Sequence, residues 1–138
     1  MQTFLPYADF QKSVECLDTK RLGKQRVEGM QLVNAIYNIG GWSNHPAARM
    51  WRDHVPQLRL YTDFCIREWI RRGYNNTMAF EHNPVILDLC FERYRMPSWF
   101  GDEAFHASHR SNLLRKDPDH YSQFGWVEVD SLPYVWPE

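Results

Sequence analysis

At 138 residues the chain has enough length for one hydrophobic core and too little for two domains. Apolar residues make up 43% and aromatics 15%, which excludes a disordered chain, and apolar runs such as Val85-Ile86-Leu87 fall far short of the roughly 20 residues a membrane span needs. The net charge of −1 conceals an uneven distribution: residues 117–138 carry Asp117, Asp119, Glu128, Asp130 and Glu138 with no Lys or Arg, which leaves a basic body of net charge +4. Such a body suits an anionic partner where its cations cluster. Arginine's planar fork, suited to bidentate phosphate contacts, dominates the basic residues.

The start, Met1-Gln2-Thr3-Phe4-Leu5-Pro6, lacks the basic head and apolar stretch of a secretory signal, so a cytoplasmic location is expected. Cys16, Cys65 and Cys90 are odd in number, widely spaced and in no CxxC pair, a pattern of reduced core thiols rather than of disulfides or zinc.

Asp9 predicts the cap of a short first helix whose Phe10, Val14 and Leu17 share a face. Asp18 or Thr19 caps a longer second helix to about Asn38, with Leu22, Met30, Val33 and Tyr37 at helical spacing and Gly40-Gly41 as its stop. Gly23 and Gly29 inside it each cost on the order of 1 kcal/mol relative to Ala, so a neighbouring helix or a ligand is expected to approach closely. Asn44-His45-Pro46 opens a third helix to about Asp53, and Pro56 a fourth. In the fourth, Leu58, Tyr61, Thr62, Cys65 and Trp69 line one side, Arg59, Asp63, Arg67 and Arg71 another, and Gly73 ends it. Val85 to Tyr94 is a further helical stretch. Gly101-Asp102-Glu103 opens the last long helix, which Asp117-Pro118 ends near Lys116. The aromatic tail from Tyr121 to Trp136 is expected to wrap the body as irregular structure. These elements predict an all-α, compact single-domain helical bundle over residues 1–138 with an irregular aromatic C-terminal tail.

The densest polar stretch is Lys20-Arg21-Leu22-Gly23-Lys24-Gln25-Arg26-Val27-Glu28. Arg21, Lys24, Gln25 and Glu28 share a helical face and can converge on one anionic substrate, while Leu22, Met30 and Val33 turn to the core. A solvated Lys24–Glu28 pairing explains the same spacing. A second cluster sets Glu103, His106 and Arg110 at helical intervals. A metal site there would need a second Glu-x-x-His copy, which the chain lacks, so phosphate contact by His109, Arg110, Arg115 and Lys116 is the functional alternative to a charged helix face. His45 stands just before a helix start, where it faces a site or packs as a cap. No GxSxG, Walker or GxGxxG motif is present.

In order, Met1-Gln2-Thr3-Phe4-Leu5, Leu17-Asp18 to Arg26-Val27-Glu28, Asn44-His45-Pro46, Trp69-Ile70-Arg71-Arg72-Gly73-Tyr74-Asn75 and Pro118-Asp119-His120-Tyr121 to Phe124-Gly125-Trp126 resemble the small helical pyrimidine-dimer DNA glycosylases of the phage endonuclease V type. Arg21 to Glu28 and Leu132-Pro133-Tyr134-Val135-Trp136-Pro137 look closest to the bacterial relatives. The resemblance implies an enzyme that binds damaged duplex DNA, displaces a base, and attacks C1′ of a damaged or modified pyrimidine nucleotide with its N-terminal amine. A Schiff base then permits β-elimination of the strand, with no metal or other cofactor. Gln2 is too large for the usual removal of the initiator methionine, so the amine falls to Met1, with Gln2 as the alternative should Met1 be removed. The assisting acid falls to Glu28, one place beyond the residue that directly follows the helix arginine, Arg26. Lys20, Arg21, Lys24 and Arg26 would hold phosphates, aided by His45 and the late helix. Tyr121, Phe124 or Trp126 would fill space or stack on a base, and the enzyme is expected to act as a monomer without a membrane. The competing readings are a DNA-binding module without chemistry, and an enzyme for a modified pyrimidine other than a dimer.

Overall fold

Short polar side chains start most of the helices. In the computed structural model, which describes residues 1–37 and 43–137, Asp9 accepts from the Lys12 amide to begin α1 (Phe10–Glu15), and Asp18 accepts from Arg21 to begin α2 (Thr19–Ile36). The expected stop at Gly40-Gly41 lies outside the described residues. His45 caps α3 (Pro46–Trp51), its Nδ1 accepting from the Ala47 amide at 3.0 Å. Next come α4 (Val55–Arg71), a 3-10 turn at Pro84–Ile86 leading into α5 (Leu87–Arg93), α6 (Glu103–Lys116) capped by Asp102, and α7 (Pro118–Tyr121). The protein is all helical, with no strand among the described residues.

The bundle is organised around α4, which packs on α1, α2 and α5. From Leu58 to Ile66 most of it is buried, and Asp63 goes inside with the rest, correcting the expectation of a polar face there. Its carboxylate accepts from the Glu81 and His82 amides at 2.8 and 2.9 Å and anchors the extended segment after the helix. Phe10 lies at the centre of an aromatic group with Tyr61, Phe64, Phe91 and Phe100, ring centroids 5.0–5.8 Å away. Cys16, Cys65 and Cys90 are free thiols, and burial raises the Cys16 pKa to about 12.

Both interior glycines of α2 serve helix packing. A Cβ on Gly29 would fall 2.1 Å from Thr62 Oγ1 and 3.1 Å from Thr62 Cβ, and one on Gly23 would fall 3.0 Å from the Trp69 ring. The inner stripe of α2 is Leu22, Gln25, Gly29, Leu32, Val33 and Ala35. Met30 and Tyr37, expected inside, are exposed, because the close α2–α4 approach at Gly29 rotates the stripe so that the polar Gln25 takes a core position.

The tail wraps the body as irregular chain after a 3-10 turn at Ser122–Phe124. Polar side chains of α6 hold it: Asn112 Nδ2 donates to the Leu132 carbonyl at 3.1 Å, while Ser111 and Ser108 hydroxyls accept from the Leu132 and Val135 amides. This is why α6 lacks a single apolar face, with Ser108, Ser111 and Asn112 buried beside Phe105 and Leu113.

Candidate active site

The first residues run extended between helices, and side chains supply the hydrogen bonds that a sheet would otherwise give. The Gln2 amide donates to Glu28 Oε2 at 3.1 Å, and the Gln2 carbonyl accepts from Gln25 Nε2 at 2.8 Å. The Phe4 amide donates to Gln25 Oε1 at 2.8 Å, and the Phe4 carbonyl accepts from the Tyr61 hydroxyl at 2.8 Å. The Leu5 amide donates to His109 Nδ1 at 2.8 Å, and His106 Nδ1 bonds the Leu5 carbonyl at 2.7 Å. The Thr3 hydroxyl accepts from Trp51 Nε1 at 3.0 Å. Helices α2, α3, α4 and α6 thus fix the chain's opening segment from four sides.

This anchoring places Met1 in an open cavity of about 300 Å³, lined also by Gln2, Phe4, Lys20, Arg21, Lys24, Gln25, Glu28, Lys116 and Tyr134. One wall carries the Glu28 carboxylate, and Lys20, Lys24 and Lys116 bring exposed ammonium groups to the rim. Arg21 is held by Asp18 at 3.2 Å. Burial alone would raise the Asp18 pKa, yet the Tyr121 hydroxyl at 2.5 Å and the Arg21 guanidinium hold it below its usual value, so the ion pair stays charged. His45 lies within electrostatic range of both the Met1 amine and Glu28: burial, then the ammonium, lowers its pKa while Glu28 opposes them, favouring a neutral imidazole that caps α3.

Of the site residues expected from the sequence, Met1, Gln2, Lys20, Arg21, Lys24, Glu28 and Lys116 come together here. Arg26 is elsewhere. Its guanidinium lies over the Trp69 ring, 4.2 Å from the centroid, and donates to Asn76 Oδ1 at 2.9 Å. Its cation–π contact with Trp69 of α4 and its hydrogen bond to Asn76 hold it outside the group of residues that line the cavity with Glu28.

Two residues of α6 expected at phosphates, His109 and Arg110, face other parts of the protein. His109 is fully buried, and desolvation, helped by His106, pushes its pKa down to about 3. Arg110 is held inside by Glu128, Glu103 and the Pro6 carbonyl at 2.7 Å. Arg115 is exposed but reaches Asn112 and the Asp130 carbonyl. Tyr121, Phe124 and Trp126 pack on one another, Tyr121 stacking on Trp126 at 5.6 Å and 12°, away from the residues that line the cavity. Tyr134 escaped the sequence reading, because it comes from the tail, whose course is set by buried α6 side chains that no periodicity shows. Gln25, expected on one substrate-facing surface with Arg21, Lys24 and Glu28, lines the cavity with them but is 1% exposed. No group of His, Cys, Asp and Glu able to hold a metal ion is found among the described residues.

An N-terminal residue, a carboxylate and several cations thus meet in one open cavity of a helical protein, an arrangement suited to an anionic substrate. The family model of pyrimidine dimer DNA glycosylases matches residues 1–82, and the chain belongs to that family. The general reaction is therefore DNA repair by base excision, with DNA as substrate. No curated protein and no solved structure matches the chain. No helix among the described residues is long and apolar enough to cross a membrane.

Proposed function

We propose that the protein is a glycosylase with an associated abasic-site lyase activity, acting on damaged or modified pyrimidines in duplex DNA through its N-terminal amine. The observation that carries this reading is the shared cavity of Met1 and Glu28, in which Glu28 grips the Gln2 amide at 3.1 Å. A free α-amine can act as a nucleophile and form a Schiff base with a sugar carbon. The Met1 nitrogen attacks C1′, the glycosidic bond breaks, and the base leaves with that electron pair and takes up a proton. Opening of the sugar ring gives a Schiff base. Loss of a C2′ proton then expels the 3′-phosphate and cleaves the strand.

Glu28 stabilises the positive charge that develops on the sugar and is placed to move a proton at the ring oxygen or at C2′. Lys20, Lys24 and Lys116, with Arg21, hold the flanking phosphates, while the cost of extruding a nucleotide, a few kcal/mol, is smallest at a damaged pair. We place this activity in a monomeric cytoplasmic enzyme without a metal.

A panel of duplexes bearing ultraviolet dimers, abasic sites or oxidised pyrimidines, scored separately for base release and strand scission, tests the proposal. Release and scission on one lesion class are expected from the parent protein. Glu28→Gln should lower single-turnover rates by about 10²–10⁴-fold while duplex binding stays near the parent's. Equal turnover in the two proteins would remove Glu28 from the mechanism, and binding without release on every duplex would favour a DNA-binding module.

A further inference from the structure

Gln25 is a polar residue in the innermost stripe of α2, 1% exposed, where its neighbours are Leu22, Gly29 and Leu32. A buried carboxamide is tolerated only when its hydrogen bonds are made, and here they are spent on the opening segment of the chain. Nε2 donates to the Gln2 carbonyl and Oε1 accepts from the Phe4 amide, both at 2.8 Å. This is the two-point pattern with which a residue in a parallel sheet grips the residues on either side of its neighbour, here Thr3. The orientation of the amide is fixed, because Oε1 also accepts from the Tyr61 hydroxyl at 2.7 Å and a flipped group would set N–H against N–H. The second Nε2 hydrogen is directed at Glu28 Oε2, 3.4 Å away, the oxygen that already takes the Gln2 amide.

We infer that Gln25 is a positioning residue for the reaction: its carboxamide holds residues 2–4 and the Glu28 carboxylate in one register, and so sets the N-terminal nitrogen beside the acid. The inference rests on the N-terminal-amine reading above. Asn is too short to span the two partners, Glu lacks the donor, and Lys lacks the acceptor, so only glutamine meets both ends. Gln25 lies one turn before Glu28 on the same helix, and a shift in one is felt by the other. Displacement of a reacting group by about 1 Å is enough to cost about 10²-fold in rate.

The test uses the full chain and two variants, with borohydride trapping on a saturating abasic-site duplex and amide hydrogen exchange read together. Gln25→Met keeps length and loses both partners, and Gln25→Glu keeps the acceptor for Phe4 and Tyr61 but loses the donor. The trapping rate is expected to fall about 100-fold in the first and at least about 10-fold in the second, with duplex affinity within about 2-fold of the parent. The Phe4 amide should exchange faster in Gln25→Met while the core amides of α4 keep their protection. Trapping at the parent rate in both variants would overturn the inference, as would a loss confined to Gln25→Met with collapse of α4 protection. If the parent forms no adduct, the lyase reading fails by itself. Reductive methylation of the α-amine by formaldehyde then decides the positioning claim, which an unchanged rate in Gln25→Met would contradict.

Discussion

Two neighbouring histidines show how a single side chain decides the position of the N-terminus. His109 accepts from the Leu5 amide through Nδ1, which puts its proton on Nε2, a buried atom with no hydrogen-bond partner. That orphan N–H costs about 1–3 kcal/mol, and the position tolerates it because the Leu5 amide would otherwise be the orphan. His106 accepts from the Gly101 amide at 2.9 Å and therefore donates to the Leu5 carbonyl from Nδ1. Both rings must be neutral. Burial lowers both pKa values, that of His109 to about 3, so in the unfolded chain both take up protons below the ordinary value of about 6.5 while in the folded chain His109 stays neutral far below it. The His109 contribution to stability is therefore complete above about pH 6.5 and is lost as pH falls toward 3, by up to about 1.4 kcal/mol per pH unit, and that of His106 is lost in the same direction. Urea unfolding of the parent at pH 7 and pH 4 should show this loss, and His109→Asn, which keeps an acceptor for Leu5 but cannot be protonated, should show a shallower one.

Among the elements, α2 was the most legible and also the most misleading. Its Asp18 cap and the close approach at Gly23 and Gly29 follow from side-chain capping and from the absence of a Cβ, both local properties, and the structure bears them out. Its inward face was harder to read, since hydrophobic spacing favoured Met30 and left Gln25 on the surface, whereas the α4 contact buries Gln25. Hydropathy is blind to a polar residue whose partners are the backbone of a distant segment. The same limit hid Tyr134 and the internal roles of His109 and Arg110, each fixed by contacts between segments about 100 residues apart or by the course of the tail. By contrast, Met1, Glu28 and the lysines of the early helix were legible through the family resemblance, which carries their spatial relation. At this scale Gly29→Ala is expected to destabilise the protein by about 1–3 kcal/mol, since Thr62 Cβ and its methyl leave no room, and differential scanning calorimetry should show a lower Tm. An unchanged Tm would mean that α2 and α4 separate at no cost.

For the molecule as a whole, the fold places a cationic rim around its own N-terminus while the acidic tail is tied to α6 through Glu128 and Arg110. A near-neutral chain can thereby present a local site for DNA phosphates. Each of Lys20→Ala, Lys24→Ala and Lys116→Ala is expected to weaken duplex binding evenly across sequences and to reduce the salt dependence of the binding constant by about one phosphate contact, measured by fluorescence anisotropy over a salt series. The central claim, that the opening nitrogen is the nucleophile, is tested most directly by borohydride reduction during incubation with an abasic-site duplex, followed by peptide mapping of the adduct. The account expects a covalent product whose DNA is joined to the α-amine of Met1, suppressed when that amine is methylated beforehand. No adduct, or one mapped to a lysine and indifferent to that methylation, would contradict it.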